Sequence, residues 1–167
     1  MTVSNIILKF SAKRTDDPRE GARKAFQAYR KHIESDRYNH VECISCGRII
    51  HSRDAKGGYY INPEECAATE FDSDNLWMQC PYCLSSLNGN RANFEKRLIA
   101  RIGVERVNRL NRIRMASKGD KKALLLLSKE DRLKALSQHN RSFYEYKRGE
   151  YDVLSRLFSK NNMASSI

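Results

Sequence analysis

No run of apolar residues in this sequence approaches the roughly 18–20 that a helix needs to cross a membrane. The chain has a single tryptophan, and no apolar face rich in Trp or Leu accompanies its basic residues, which disfavours attachment to an acidic lipid surface. It also has no internal repeat, no low-complexity tract and no signal peptide. A length of 167 residues therefore predicts one domain, or one small core with appendages.

Acidic residues are scarce in the second half of the chain. Residues 91–167 carry 19 Lys/Arg against eight Asp/Glu, whereas residues 43–90 carry three against six and residues 1–42 carry nine against six. The net charge of +11 is thus concentrated in a segment with helical patterning. Such a surface favours binding to a polyanion, most commonly nucleic acid. The alternative is a solvated helical surface without a partner, which would have the same composition.

Four of the five cysteines form two short pairs, Cys43-Ile-Ser-Cys46 and Cys80-Pro-Tyr-Cys83. A two-residue gap lets both thiolates of a pair bind one ion from a single turn, and two pairs complete a tetrahedral structural zinc site. The 33 residues between the pairs predict an enclosed subdomain rather than a minimal ribbon. Disulfides or scattered core cysteines are the alternative, which the odd Cys66 and the missing signal peptide disfavour.

Helix signals flank this central segment. Asp17-Pro18 begins a predicted helix that runs to about Ser35, and residues 41–62 have the pattern of a β-hairpin. Residues 62–75 are polar and acidic, which predicts an irregular, solvated loop. Helices are expected over residues 91–102 and from Val104, and one long helix over about 128–160. These elements divide the chain into an N-terminal arm and helix (1–40), a zinc-stapled core with basic helices (41–116) and a helical extension (117–167).

A zinc-stapled hairpin followed by a helix has the outline of a ββα-metal (HNH-type) nuclease domain. We therefore expect an α+β fold with an HNH-like core, a flanking N-terminal helix and basic C-terminal helices. In such sites a histidine of the hairpin deprotonates water, and a metal ion stabilises the charge that develops on the phosphate. Zinc ribbons and other knuckle folds share this outline, so it is weak evidence by itself.

Longer motifs are more specific. The segments Cys43-Ile-Ser-Cys-Gly47, Asn75-Leu-Trp-Met-Gln-Cys-Pro-Tyr-Cys83, Gly89-Asn90 and Arg97-Leu-Ile-Ala-Arg-Ile-Gly-Val-Glu-Arg-Val107 occur in this order. Together they resemble the phage NinG (Rap) recombination protein family, over about residues 20–110. The resemblance implies a zinc-stapled, HNH-like protein that binds and cuts branched DNA during recombination, with Mg²⁺ or Mn²⁺ needed for cutting.

The catalytic-type positions of that family pattern are substituted in this chain. The family's general-base histidine falls on Tyr59, and the acidic or histidine residue before that motif falls on Lys56. A second histidine falls on Trp77, and the asparagine after the last cysteine falls on Leu84. Tyrosine, with a pKa near 10, is a poor base at neutral pH. The resemblance therefore predicts a nuclease scaffold that has lost its cutting centre.

Two nearby residues are candidate substitutes. His51 and Asp54 lie close in sequence to the altered motif, although a polar hairpin residue is the commoner role of a lone histidine. The acidic residues Glu64, Glu65, Asp72 and Asp74 form a second candidate metal site, for which a solvated loop is the favoured interpretation.

The basic helices would then supply the binding surface. We expect phosphate contacts from residues that follow the second cysteine pair: Lys96, Arg97, Arg101, Arg106, Arg109, Arg112 and Arg114. The sequence predicts a phage DNA-binding protein that acts in the cytoplasm of the infected bacterium. The alternatives are an active structure-specific endonuclease with relocated residues, and a zinc-stapled protein-interaction module that forms a homodimer through its C-terminal helix.

Overall fold

A computed structural model describes residues 17–137 and 139–164, with side chains as far as residue 157. The predicted N-terminal arm lies outside these residues. Helix α1 (Pro18–Glu34) confirms the predicted helix start, because the Asp17 carboxylate accepts a hydrogen bond from the Arg19 amide, 2.9 Å away, and Pro18 occupies the first turn. Phe26, wholly buried, anchors the helix in the core.

The strands form two separate two-stranded antiparallel sheets. Strand β1 (His40–Glu42) pairs with β2 (Ile49–His51), and β3 (Lys56–Tyr59) pairs with β4 (Leu76–Gln79). The predicted single hairpin over 41–62 is therefore wrong, because Ile49–His51 and Lys56–Tyr59 belong to different sheets. The residue pattern identified both segments as extended but carried no information about which partner each would choose.

The predicted irregular segment between β3 and β4 is organised by one buried amide. Asn75 accepts a hydrogen bond from the Ile61 amide (2.7 Å) and donates to the carbonyls of Ile61 (3.0 Å) and Thr69 (2.9 Å). A 3₁₀ turn over Ala67–Thr69 lies inside this loop. Because Asn75 is wholly buried, its hydrogen bonds fix the loop to the core.

Two helices then pack beside the sheets as predicted. Helix α2 (Arg91–Ile102) ends at Gly103, whose φ of +85° suits glycine, and α3 (Val104–Ser117) follows at once. Their apolar faces form a core cluster with the first cysteine knuckle and the start of the loop, including Ile44, Ile61, Phe94, Leu98, Val107 and Leu110.

The predicted long terminal helix is interrupted. Helix α4 (Lys121–Leu125) precedes α5 (Lys129–Leu136), residues 137, 139 and 140 lie outside any helix, and α6 (Arg141–Ala164) follows. Tyr151 of α6 packs on Phe26 of α1, with ring centroids 4.7 Å apart. Leu133 and Leu136 are each 63% exposed on α5. Among the described helices, none is both long and apolar enough to span a bilayer.

Candidate metal centre and its surroundings

The backbone brings the two cysteine pairs together from opposite ends of the central segment. The first pair follows β1 in a tight turn, where the Gly47 amide donates to the Cys43 carbonyl over 2.9 Å and Gly47 has φ +75°. The second pair begins where β4 ends at Gln79. A hydrogen bond of 2.9 Å from the Ile44 amide to the Met78 carbonyl joins the two segments.

The four sulfur atoms form a compact cluster. All lie within 4.8 Å of one another, and the Sγ atoms of Cys46 and Cys80 are 3.8 Å apart. A tetrahedral Zn²⁺ with Zn–S distances of about 2.3 Å has sulfur–sulfur edges of roughly 3.8 Å. The cluster could therefore hold a metal ion such as zinc, bound by Cys43, Cys46, Cys80 and Cys83 as the sequence predicts.

Hydrogen-bond donors surround the sulfur atoms. The Cys83 amide lies 3.4 Å from the Cys80 sulfur, and the Asn90 side-chain amide lies 3.6 Å from the Cys83 sulfur. Burial raises the pKa of the Cys83 thiol to about 12, although the Asn90 amide acts in the opposite direction. A bound cation would overcome this burial by stabilising the thiolates, so metal binding at this site would release protons.

The fifth cysteine is not part of the cluster. Cys66 is buried beside the α2–α3 core, and its sulfur lies 3.3 Å from the Ser117 hydroxyl of α3. The spacing argument had already left Cys66 without a partner.

The substituted catalytic-type positions do not converge. In the β3–β4 register Tyr59 lies opposite Leu76, and Trp77 lies opposite Gly58, so Tyr59 and Trp77 belong to alternate faces of the sheet. Tyr59 packs against the cluster that contains Phe26 of α1, while Trp77 packs against the α2–α3 core. Burial raises the pKa of Tyr59 to about 12, assisted by the negative charge of Glu70. Tyr59 is thus an even weaker base than a free tyrosine.

Trp77 instead makes cation–π contacts with two arginines. The guanidinium groups of Arg30 and Arg101 lie 4.7 Å and 5.4 Å from the centre of its ring. Its indole N–H donates to the Asp74 carbonyl over 2.8 Å. Lys56 is exposed at the start of β3 and Leu84 is half-buried after the second cysteine pair.

His51 ends β2, and Asp54 lies in the surface turn between β2 and β3. The His51 Nδ1 atom accepts a hydrogen bond from the Arg53 amide, 3.2 Å away, and the Asp54 carboxylate lies 4.0 Å from the Arg53 guanidinium. The side chain of Asp54 is 62% exposed. These contacts describe an ordinary polar turn, and a catalytic role for His51 and Asp54 stays a prediction.

The solvated-loop interpretation is wrong for Asp72 and Asp74. Their side chains are each only 7% exposed, and both form ion pairs with arginines of α3. Arg106 pairs with Asp74, whereas the Arg109 guanidinium lies 2.8 Å from Asp72 and 2.7 Å from Asp131 of α5. These arginines lie more than 30 residues after the aspartates in the sequence. No local sequence pattern could therefore have indicated the ion pairs.

Acidic partners occupy most of the predicted DNA-binding set. Arg97 and Arg101 both pair with Glu42, Arg112 lies 3.8 Å from Glu105, and Arg114 lies 3.6 Å from Glu65. Lys96 is exposed on α2 and makes no ion pair with a described residue. The role of these seven residues in DNA binding stays a prediction, with part of each guanidinium's charge already balanced within the fold.

This chain is similar to a known family of proteins over most of its length. The family model described as "Bacteriophage Lambda NinG protein" matches residues 6–139, about four fifths of the chain. The chain belongs to the NinG family. This finding confirms the family resemblance seen in the cysteine and glycine motifs.

Two curated relatives illustrate the extent of the similarity. Protein ninG of Escherichia phage 933W is 32% identical over 89 residues, which is 53% of this chain and 42% of the relative. Protein ninG of Salmonella phage P22 is 31% identical over the same share of this chain and 41% of its own length. The matched region therefore spans about two fifths of the curated relatives. No solved structure matches the chain.

Proposed function

We propose that this NinG-family protein binds DNA, preferentially at junctions or other branched structures, in the cytoplasm of an infected bacterium, and that it has lost the ability to cut. A zinc ion at the four cysteines would hold the fold together. The observation that carries the proposal is the state of the substituted positions: the family's polar catalytic positions hold Tyr59 and Trp77, which are packed on opposite faces of one sheet.

The net charge supports the binding half of the proposal. A surplus of +11 remains after the internal ion pairs are formed, because an ion pair cancels one charge of each sign. Such a surplus raises the local concentration of polyanions and gives phosphate-based binding that weakens with salt. Phosphate contacts supply affinity without base selectivity, which suits a protein that responds to the shape of DNA.

The test is incubation of the protein with a four-way junction and with a linear duplex of the same sequences. It is run at low salt, with and without Mg²⁺ or Mn²⁺, and read on native and denaturing gels. We expect a shifted junction whose strands stay intact. Nicked strands would contradict the loss of cutting, and substitution of His51 and Asp54 would then test the relocated-endonuclease alternative.

A matched pair of variants tests the predicted surface without disturbing the buried ion pairs. Lys96→Gln with Arg112→Gln removes two charges from α2 and α3, and Lys121→Gln with Lys122→Gln removes two exposed charges from α4. We expect weaker junction binding for the first pair only. Absence of any junction binding at low salt by the unmodified protein would refute the proposal.

Exposed leucines favour a second candidate, a protein-interaction module. Four leucines of α5 and the segment ending α4 are between 63% and 71% exposed: Leu125, Leu126, Leu133 and Leu136. Apolar side chains exposed together often mark an interface. A dimer in sedimentation measurements, combined with no junction shift, would favour this candidate. The predicted dimerisation through α6 would have to use a face other than the one that packs on α1.

A further inference from the structure

Two lysines and a histidine of α1 and β3 differ from the paired arginines of α3. Lys31 and His32 of α1 and Lys56 of β3 form no ion pair with an acidic residue in the described part of the chain. The arginines of α3, by contrast, each contact a carboxylate. Unpaired basic side chains are therefore gathered beside α1, where only Lys56 falls on a position of the family motif.

These basic side chains line a cleft of about 270 Å³ between α1 and the start of β3. Its walls include Lys24, Gln27, Lys31, His32, Lys56 and Gly57. On α1 these residues recur at helical spacing, so they share one face. Gly57 lets β3 approach α1 closely at the base of the cleft, because a Cβ there would lie only 3.0 Å from the Gln27 side chain and 2.9 Å from Leu76.

The charges that face the cleft leave a positive excess. Glu20 lies 3.3 Å from the Lys24 ammonium, and Asp54 is close enough to act on Lys31. Burial lowers the pKa of Lys31, and the positive charge of Lys56 lowers that pKa further, with Asp54 acting in the opposite direction. An ammonium group in this position is poorly compensated, and a bound anion would offset both its burial and its repulsion from Lys56.

We propose that this cleft binds a phosphate group. Two lysine ammonium groups and an imidazole act as compact donors to an anion, and the Gln27 amide offers a neutral donor at the same wall. If the DNA-binding function proposed above holds, the phosphate is one of the DNA backbone, and this part of the inference rests on that function. The binding surface then includes the α1–β3 side of the molecule.

The first test compares two double variants in salt-dependent binding to the four-way junction, measured by fluorescence anisotropy. Lys31→Gln with Lys56→Gln removes the cleft charges, and Lys121→Gln with Lys122→Gln is the matched control from α4. We expect the cleft variant to bind roughly tenfold more weakly and its slope of log Kobs against log salt to fall by about 0.9, the value for one phosphate contact. Equal behaviour of the two variants would overturn the assignment to backbone phosphate.

The second test uses inorganic phosphate and does not depend on DNA. Amide NMR spectra of the full chain are recorded during a phosphate titration, with chloride at matched ionic strength as the control. We expect shifts confined to residues 24–32 and 55–57 that the cleft variant loses. Phosphate shifts without junction binding would preserve the cleft and refute the DNA function. Absence of these shifts would overturn the cleft proposal even if the junction binds.

Discussion

Single residues of this protein differ widely in their tolerance of substitution, because neighbouring groups surround a few positions closely and others face open space. The four clustered cysteines and Gly58 belong to the first kind. Gly58 lies in β3, where a Cβ would overlap the side-chain amide of Gln79. That amide is held by the Ser45 hydroxyl (2.5 Å) and the Gly89 carbonyl (2.7 Å), so it cannot move aside without losing both hydrogen bonds.

The cysteine cluster gives the first prediction at this scale. Replacement of any one of Cys43, Cys46, Cys80 and Cys83 by serine should remove the metal and unfold residues 43–90, because structural zinc contributes on the order of 10–16 kcal/mol of apparent binding free energy coupled to folding. Metal content by mass spectrometry and thermal melting provide the measurements.

Cys66→Ser is the internal control for the cysteine series. It should retain the metal and cost little, since Cys66 contacts a hydroxyl outside the cluster. Loss of metal from this variant would mean that the four ligands are wrongly assigned.

Two glycines allow the effect of one added methyl group to be compared between a closely packed position and an open one. Gly58→Ala should destabilise the fold by about 1–3 kcal/mol, as overpacking of a buried site does. Gly149→Ala lies within α6, where nothing stands within 4 Å of a new Cβ, and it should stabilise the fold by about 0.5–1 kcal/mol. Urea unfolding measures both changes. A stabilising effect of Gly58→Ala would show that the Gln79 contact is not as close as described.

At the scale of elements, Arg109 joins three parts of the chain. It extends from α3 to Asp72 of the loop and to Asp131 of α5. Burial alone would raise the pKa of both carboxyl groups, but the hydrogen bonds and charge of Arg109 outweigh it, and each pKa is lowered below the usual 3.8. The stability supplied by these groups is therefore present above pH 3.8 and is lost as the pH falls through their lowered values.

Arg109→Met should consequently weaken the protein at neutral pH and change its response to acid. We expect a loss of about 1–3 kcal/mol in unfolding free energy at about pH 7, and a smaller further loss than the unmodified protein shows on going to about pH 3. Arg141→Met, which removes an exposed pair with Glu145, is the control and should change stability by less than about 0.5 kcal/mol. Equal acid sensitivity of Arg109→Met and the unmodified protein would exclude this role for Arg109.

The helices were predictable from sequence to a degree that the strand partners were not. Helix signals are local: Asp17 and Pro18 begin α1, and Gly103 separates α2 from α3, all within a few residues of the boundary. Strand pairing depends on distant segments, and β3 pairs with β4 rather than with β2. The four-cysteine cluster was predictable because its geometry is encoded in two short spacings. The α1–β3 cleft was not, because its walls come from segments more than 20 residues apart.

The molecule as a whole balances its charge unevenly. The acidic central segment supplies partners to cations from both ends of the chain: Glu64 and Glu70 contact Arg19 and Arg23 of α1, while Asp72 and Asp74 contact α3. The Glu70 side chain is wholly buried in this arrangement. Only a subset of the 31 lysines and arginines is therefore left to bind an external anion. This subset includes Lys96 and the lysines of the α1–β3 cleft.

These buried ion pairs also constrain how such a chain can diverge. Loss of one member removes a partner from a shared group of charges, so a neutral substitution at position 72 leaves residues 109 and 134 with only their remaining acidic contacts and is disfavoured. Across relatives, residues 19, 23 and 70 should therefore covary as one group, and residues 72, 109 and 131 as another. Residue 96, which makes no ion pair with a described residue, should vary independently of both groups.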